Sequence, residues 1–299
     1  MKILLLGKNG QVGWELQRSL APLGELLALD SRSTDYCGDL SDLEGLAETL
    51  QRYAPDVIVN AAAYTAVDKA ESEADKALRV NAEAVAVMAR WAAGADKLLV
   101  HYSTDYVYPG HGATPWRETD AVDPLNVYGK TKLAGEEAIR ESGCMHLILR
   151  TSWVYAARGN NFAKTMLRLA QEREALSVID DQFGAPTSAE LLADVAALAI
   201  VAVHRQPELS GLYHVAAAGE TTWCRYARYV LDQAVAAGVP LKATAAAIKA
   251  VGTDEYPTAA QRPGNSRLSI EKLQKAFALK MPEWQVGVAR MLTEIIEKK

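Results

Sequence analysis

Tyr128 and Lys132 stand four residues apart in Tyr128-Gly-Lys-Thr-Lys132, at the start of a segment whose pattern predicts a helix. That spacing puts both side chains on one helix face. A phenol with a pKa near 10 exchanges protons poorly at neutral pH. A nearby ammonium and a helix N-terminus both favour the phenolate. Bringing the pKa near 7 takes roughly 3 units, or about 4 kcal/mol of differential stabilisation. In a chain with 12 tyrosines the spacing alone is a weak signal. It gains weight from Thr104, which lies in His101-Tyr-Ser-Thr-Asp105 at the carboxyl end of the fourth apolar run. Catalytic groups of open α/β sheets gather at carboxyl ends of strands, where Thr104 could bond a reacting carbonyl oxygen. A Thr there can also cap the strand-to-loop turn, a reading its partners Tyr128 and Lys132 weigh against.

A second constellation lies at the start of the chain. Gly7, Gly10 and Gly13 follow the first apolar run and open the first helix-period segment, with Gln11 and Val12 inside the same loop. In a strand–loop–helix unit this pattern binds a dinucleotide: Gly7 permits the tight turn, Gly10 lets backbone approach the pyrophosphate, and Gly13 allows close helix packing. The spacing is G-x-x-G-x-x-G, not the G-x-G-x-x-G of most dehydrogenases. Asp30 ends the second apolar run, where an acidic residue bonds the adenosine ribose of NAD, and Arg32 is placed to hold a 2′-phosphate. The pair leaves NADH and NADPH both open. Asp39 and Leu40 are candidates to border the adenine, with a helix-entry cap the plainer role for Asp39. Ala63, Tyr64 and Thr65 follow the third run, where small side chains let backbone lie against a cofactor.

Short apolar runs alternating with helix-period segments predict an α/β fold of Rossmann type, a doubly wound parallel sheet. Strands are expected near Lys2–Leu6, Glu25–Leu29, Asp56–Asn60, Lys97–Tyr102 and His146–Arg150. Helices are expected near Val12–Ala21, Asp42–Tyr53 with Ser41 as N-cap, Ser72–Ala93 and Tyr128–Glu141. Residues 1–150 then form the dinucleotide domain, and 151–299 a smaller, mostly helical C-terminal substrate lobe. Its helices are expected near Asn160–Arg173, Ser188–Val203, Thr222–Ala237 and Pro282–Lys298. Ser177–Ile179 and Leu212–Val215 read as strands that could return to the main sheet.

Composition narrows the partners. A net charge of −5 and the lack of any Lys/Arg block argue against a nucleic-acid surface. Cys37, Cys144 and Cys224 are too far apart in sequence for a Cys-x-x-Cys metal site, and a reducing cytoplasmic setting fits them. Ile3–Leu6 is too short for a signal-peptide core, and Leu191–Val203 carries Asp194, so no membrane association is expected. His101, His111, His146, His204 and His214 show no ligand spacing and read as structural.

The early glycine loop, Thr104, Tyr128 and Lys132 together resemble the extended short-chain dehydrogenase/reductase family over nearly the whole chain. Three longer segments, Asn60–Glu71, Ser103–Pro109 and Arg262–Arg267, resemble the branch that reduces dTDP-linked 4-keto-6-deoxy sugars. That resemblance implies hydride transfer from the nicotinamide to C4. Tyr128 would protonate the nascent alkoxide, Lys132 hold the nicotinamide ribose and depress the tyrosine pKa, and Thr104 polarise the carbonyl. Sugar dehydratases of the superfamily carry an acidic pair after this Thr; here Asp105 is followed by Tyr106, which favours simple reduction.

For the sugar nucleotide the candidates are Asp105, Trp153 as a stacking surface, Trp223 as a further wall, and Arg262, Asn265 and Ser266 as a polar loop for the diphosphate. The family includes magnesium-bridged homodimers, for which Glu15 and Glu190 are the candidate Mg2+ ligands on exposed helix starts. A non-catalytic regulatory subunit and a sugar-nucleotide epimerase or dehydratase are the competing functions. The intact Thr104, Tyr128 and Lys132 speak against the first.

Overall fold

The computed structural model describes residues 1–297. Strand β1 (Lys2–Leu6) leads through the glycine loop into α1 (Gln11–Leu20), followed by β2 (Glu25–Leu29), α2 (Leu43–Tyr53) and β3 (Val57–Asn60). Short helices α3 (Val67–Ala70) and α4 (Ala74–Leu78), a π-helical turn over Arg79–Glu83, and α5 (Ala84–Ala95) lead to β4 (Leu98–Thr104). Then come α6 (Val127–Ser142) and β5 (His146–Thr151).

These five strands and a later sixth form one parallel sheet. Ile3, Leu5, Val57, Val59 and Val100 pack on one face, and their strand neighbours Leu4, Leu6, Ile58 and Leu99 on the other. The period-2 alternation with both faces apolar is what a sheet covered by helices on both sides demands. Helix α1 closes the first face; α2, α5 and α6 close the second.

The rest of the chain contains β6 (Val154–Tyr155), α7 (Phe162–Glu172), β7 (Leu176–Ile179), β8 (Phe183–Gly184), β9 (Thr187–Ser188) and α8 (Ala189–Arg205). It ends with β10 (Gly211–His214), β11 (Thr221–Thr222), α9 (Trp223–Ala236), β12 (Ile248–Val251), α10 (Glu271–Phe277) and α11 (Trp284–Glu297). The main sheet has the order β10-β5-β4-β3-β1-β2, with the order reversing between β1 and β3. The fold is the expected Rossmann-type α/β architecture, with the crevice at that switch point.

Local expectations needed four corrections. The strand near Ser177–Ile179 does not return to the main sheet. It pairs in parallel with β12, while β10 does join the sheet beside β5. β12 falls within an Ala-rich stretch too short to announce itself. Helix α2 is capped by Asp42, which accepts from Gly45 N at 3.0 Å. Ser41 instead spends its N–H and hydroxyl on Asp39, at 2.9 and 2.8 Å. The helix expected over Ser72–Ala93 runs without a gap over 74–95 but contains a π-helical turn between α4 and α5. Finally, the last helix begins at Trp284, and its expected end at Lys298 lies outside the described residues.

Candidate active site at the carboxyl edge of the sheet

Gly7 adopts φ +89°, a backbone state open to glycine, and a Cβ on it would stand 2.8 Å from Ala62 N. On Gly13 a Cβ would meet the Gly7 carbonyl oxygen at 2.0 Å, so this glycine lets α1 close onto its own loop. The helix opens at Gly10 with no side-chain cap, leaving its first N–H groups for an anion. A dinucleotide pyrophosphate fits such a cradle.

The loop opens on a cavity of about 670 Å3. Gly7, Gly10, Gln11, Val12 and Asp30 line one end, with Asp39 and Leu40 beside them. Ala63, Tyr64 and Thr65 form its wall. Asn81, buried in the π turn, clamps that wall: it accepts from Tyr64 N at 2.8 Å and donates to Tyr64 O and Thr131 Oγ1, both at 3.1 Å. Thr104, Asp105, Tyr128, Lys132 and Trp153 line the other end.

Asp30 accepts from Arg32 N and Ser33 Oγ, at 3.1 and 3.0 Å, and from the Asn9 side chain. Arg32 itself is exposed and outside the lining. Asn9 is a cavity residue that sequence reasoning passed over, although it lies inside the glycine loop.

Asn126 caps α6 by accepting from Gly129 N at 2.8 Å, and so places Tyr128 and Lys132 in its first turns. Lys132 Nζ donates to Tyr102 O at 2.7 Å and lies 3.0 Å from His101 Nε2. Burial pushes its pKa down to about 8, opposed by the Glu136 charge. For Tyr128, burial pushes the phenol up to about 12; the bond to Thr104 opposes this and the Asp105 charge adds to it. The expected depression of the phenol by Lys132 is therefore not present. Desolvation outweighs the helix terminus, and the ammonium is turned toward β4. A phenol held protonated is a donor, not a base.

Thr104 Oγ1 donates to Asp105 Oδ1 at 3.1 Å and accepts from Tyr106 N at 3.2 Å. Burial raises Asp105 to about 6 against the pull of Ser266 and Thr104. Its Oδ2 is buried without a partner in hydrogen-bonding geometry, as are the hydroxyls of Thr151 and Ser152 on the same cavity. Orphaned polar atoms of this kind mark where a polar ligand would complete the bonding. Thr151 ends β5 as Thr104 ends β4, with Ser152 next in the chain, and the same carboxyl-end rule could have found them.

Of the other expected substrate residues, Trp153 lines the cavity and the rest do not. Trp223 stacks on Trp153 with centroids 3.7 Å apart, and Gly184 packs on the same indole, whose backbone sits at φ +49°. Lobe packing thus takes up part of the indole surface, and the remainder faces the cavity. Arg262 pairs with Asp68 at 2.7 Å. Asn265 is buried and not part of a solvated loop. Its amide donates to His111 O and Thr114 O, and its oxygen accepts from Arg267. Ser266 is likewise buried, beside Asp105. None of these three lines the cavity.

Glu15 and Glu190 are half-buried rather than exposed, and pair with Arg18 at 3.7 Å and Arg290 at 3.4 Å. Burial first, then the charges of Glu190 and Glu294, raise the Glu15 pKa. Among the described residues no group of three or more His, Cys, Asp or Glu could hold a metal. No helix among them is long and apolar enough to cross a membrane.

A glycine cradle at the switch point of a parallel sheet, with a Thr, Tyr and Lys set at the carboxyl ends beside it, defines an extended short-chain dehydrogenase/reductase. More narrowly, the chain belongs to the family described as the RmlD substrate binding domain, whose model matches residues 1–297. It is 62% identical over 295 residues to a dTDP-4-dehydrorhamnose reductase of Shigella flexneri, covering 99% of this chain and 98% of that protein. A reductase of the same name from Bacillus anthracis, solved in complex with NADP, superposes with a TM-score of 0.86 at 34% identity, covering 98% of this chain and 100% of that one. Another, from Clostridium acetobutylicum, does so with a TM-score of 0.86 at 33% identity, covering 100% and 99%.

Proposed function

We propose that this chain is an NAD(P)H-dependent oxidoreductase that reduces the 4-keto group of dTDP-4-dehydro-L-rhamnose to dTDP-L-rhamnose. The observation that carries the chemistry is Tyr128 beside Thr104 at one end of a cavity whose other end is the glycine cradle, and burial there favours the protonated phenol. A reduced nicotinamide cofactor supplies the hydride. Tyr128 delivers its proton to the C4 oxygen, and Thr104 holds that oxygen by a hydrogen bond. Lys132 steadies the ribose end. Asp105 and the unpaired hydroxyls of Thr151 and Ser152 meet the sugar. The next side chain, Tyr106, sits edge-on to Tyr128 with centroids 5.5 Å apart, so no second carboxylate follows Asp105 there, as a dehydratase would need.

In this reading residues 1–150 hold the cofactor and 151 onward the sugar nucleotide, except that α8 and β10 return to the cofactor half. The test is oxidation of NADPH by dTDP-4-keto-L-rhamnose, compared with its D-configured and uridine-linked analogues. Stoichiometric oxidation with the first supports reduction. Sugar conversion without net oxidation would identify an epimerase or dehydratase, and no conversion a regulatory subunit.

Two finer readings have their own tests. Arg32→Ala should weaken NADPH by roughly tenfold to a hundredfold while sparing NADH, because a guanidinium–phosphate bond is worth about 1.5–3 kcal/mol. Equal loss for both cofactors in a fluorescence titration would remove Arg32 from recognition. A Mg2+-bridged homodimer is supported by the mutual repulsion at Glu15 and Glu190, which a shared cation would relieve. Sedimentation should then show dimers that dissociate in EDTA, and a dimer indifferent to EDTA rejects the bridge.

A further inference from the structure

Behind the cavity lies a buried group that the reaction just described does not use. His101 is fully buried on β4, directly opposite Asn60 of β3 in the parallel register. Its Nδ1 lies 3.1 Å from Asn60 Nδ2, and its Nε2 3.0 Å from Lys132 Nζ. The amide of Asn60 is oriented, because its Oδ1 accepts from Ala62 N at 3.1 Å. The end facing His101 is therefore a donor.

A neutral imidazole has one donor nitrogen and one acceptor. With Asn60 donating to Nδ1, the ring proton sits on Nε2 and points at Lys132, which can accept it only as the neutral amine. A charged Lys132 must donate to Nε2 instead. The ring proton then moves to Nδ1 and confronts the Asn60 N–H. Turning the amide over relieves that clash but leaves Ala62 N without its acceptor. The chain thus keeps one more hydrogen bond with neutral lysine than with charged lysine.

Other groups around Lys132 are few. Glu136 lies one turn along α6 and is neutralised by Arg150 of β5 at 2.6 Å. Asp105 and Tyr128 share the cavity, and Thr131 and Asn81 on the side of the π turn are uncharged. Burial pushes the Lys132 pKa down to about 8, in the same direction as the donor mismatch. His101 stays neutral, since burial and then the Lys132 charge drive its pKa well below 6.5.

We propose that His101 is a positioning residue which, locked between Asn60 and Lys132, ties the protonation of the lysine to its own tautomer. Lys132 thereby becomes a titrating group of the reaction instead of a permanent cation. The kinetic consequence rests on the reductase reading; the tautomer does not.

The test has two arms on the full chain. With 15N-labelled histidine, His101 should pass from the Nδ1–H to the Nε2–H tautomer as pH rises through the alkaline limb of kcat/KM for NADPH. Asn60→Asp keeps an acceptor for Ala62 N but turns the donor facing His101 into an acceptor. It should hold His101 as Nδ1–H and move the limb upward by about one pH unit or more. One unchanging tautomer in the native chain from roughly pH 6 to 10, where a free lysine begins to titrate, overturns the proposal. So does a limb that moves in the variant while the tautomer still switches at its native pH, which would be the added charge alone. Should the variant fail to fold, the native chain decides by itself. Should NADPH oxidation be absent, the reductase reading fails, and the histidine spectrum still decides this proposal.

Discussion

Tyr128→Phe is expected to lower turnover by a factor on the order of hundreds or more while leaving dinucleotide binding intact. The phenyl ring keeps the edge contact with Tyr106 and loses only the hydroxyl bonded to Thr104. The cradle of α1 is untouched, so a fluorescence titration with NADPH should return the native affinity. Full activity in the variant would end the proposed mechanism.

The sign of the pH dependence follows from the same geometry. A donor acts while protonated, so Tyr128, pushed up to about 12, supports reduction throughout the neutral and mildly alkaline range. Lys132, pushed down to about 8, is charged below that pH and neutral above it. An alkaline fall in kcat/KM near 8 is therefore expected to belong to the lysine and not to the phenol.

The second large effect is on stability. Glu136 of α6 and Arg150 of β5 are fully buried and joined by two hydrogen bonds of 2.8 and 2.6 Å. Ser103 donates to the same carboxylate at 2.5 Å, and Arg150 Nη1 donates to the Tyr108 hydroxyl at 2.7 Å. Removing one partner strands the other charge in a fully buried site. Glu136→Ala should therefore lose about 3–5 kcal/mol in urea unfolding. Replacing both by apolar residues of similar volume, Glu136→Leu with Arg150→Met, should cost much less than Glu136→Ala alone. A single variant with a near-native midpoint would show that the pair is not held as described. Because the pair ties α6 to β5, the same loss should loosen the helix that carries Tyr128 and Lys132.

Much of this was legible from local pattern. The alternation of apolar residues located all five early strands to within two residues, since a strand buried on both faces leaves a short apolar run with turn residues at its ends. The G-x-x-G-x-x-G loop was legible because its function is a backbone property: Gly7 needs positive φ, and Gly13 needs the absence of a Cβ. Elements without such a signature were missed. β12 is four residues whose partner, β7, lies about seventy positions earlier, so its pairing is written in neither segment alone.

The residues of the diphosphate loop show the same limit. Asn265 and Arg262 have the right chemistry for a phosphate, but tertiary contacts with His111, Thr114 and Asp68 take up their bonding groups. Composition says what a side chain can bond; only the fold says what is left over. Thr151 and Ser152, ordinary by type, become notable because their hydroxyls are buried and unpaired on the cavity.

Tyr128 and Lys132 draw the division most clearly. Their four-residue spacing placed them on one helix face, as helical geometry requires, and the sequence alone determined that much. The direction in which their pKa values move was decided by the tertiary structure. Burial raises the phenol and lowers the ammonium, and His101, some thirty residues earlier in the chain, takes the lysine as its partner. Desolvation and hydrogen-bond partnership depend on what surrounds a group in three dimensions, and a spacing between two residues carries no record of it.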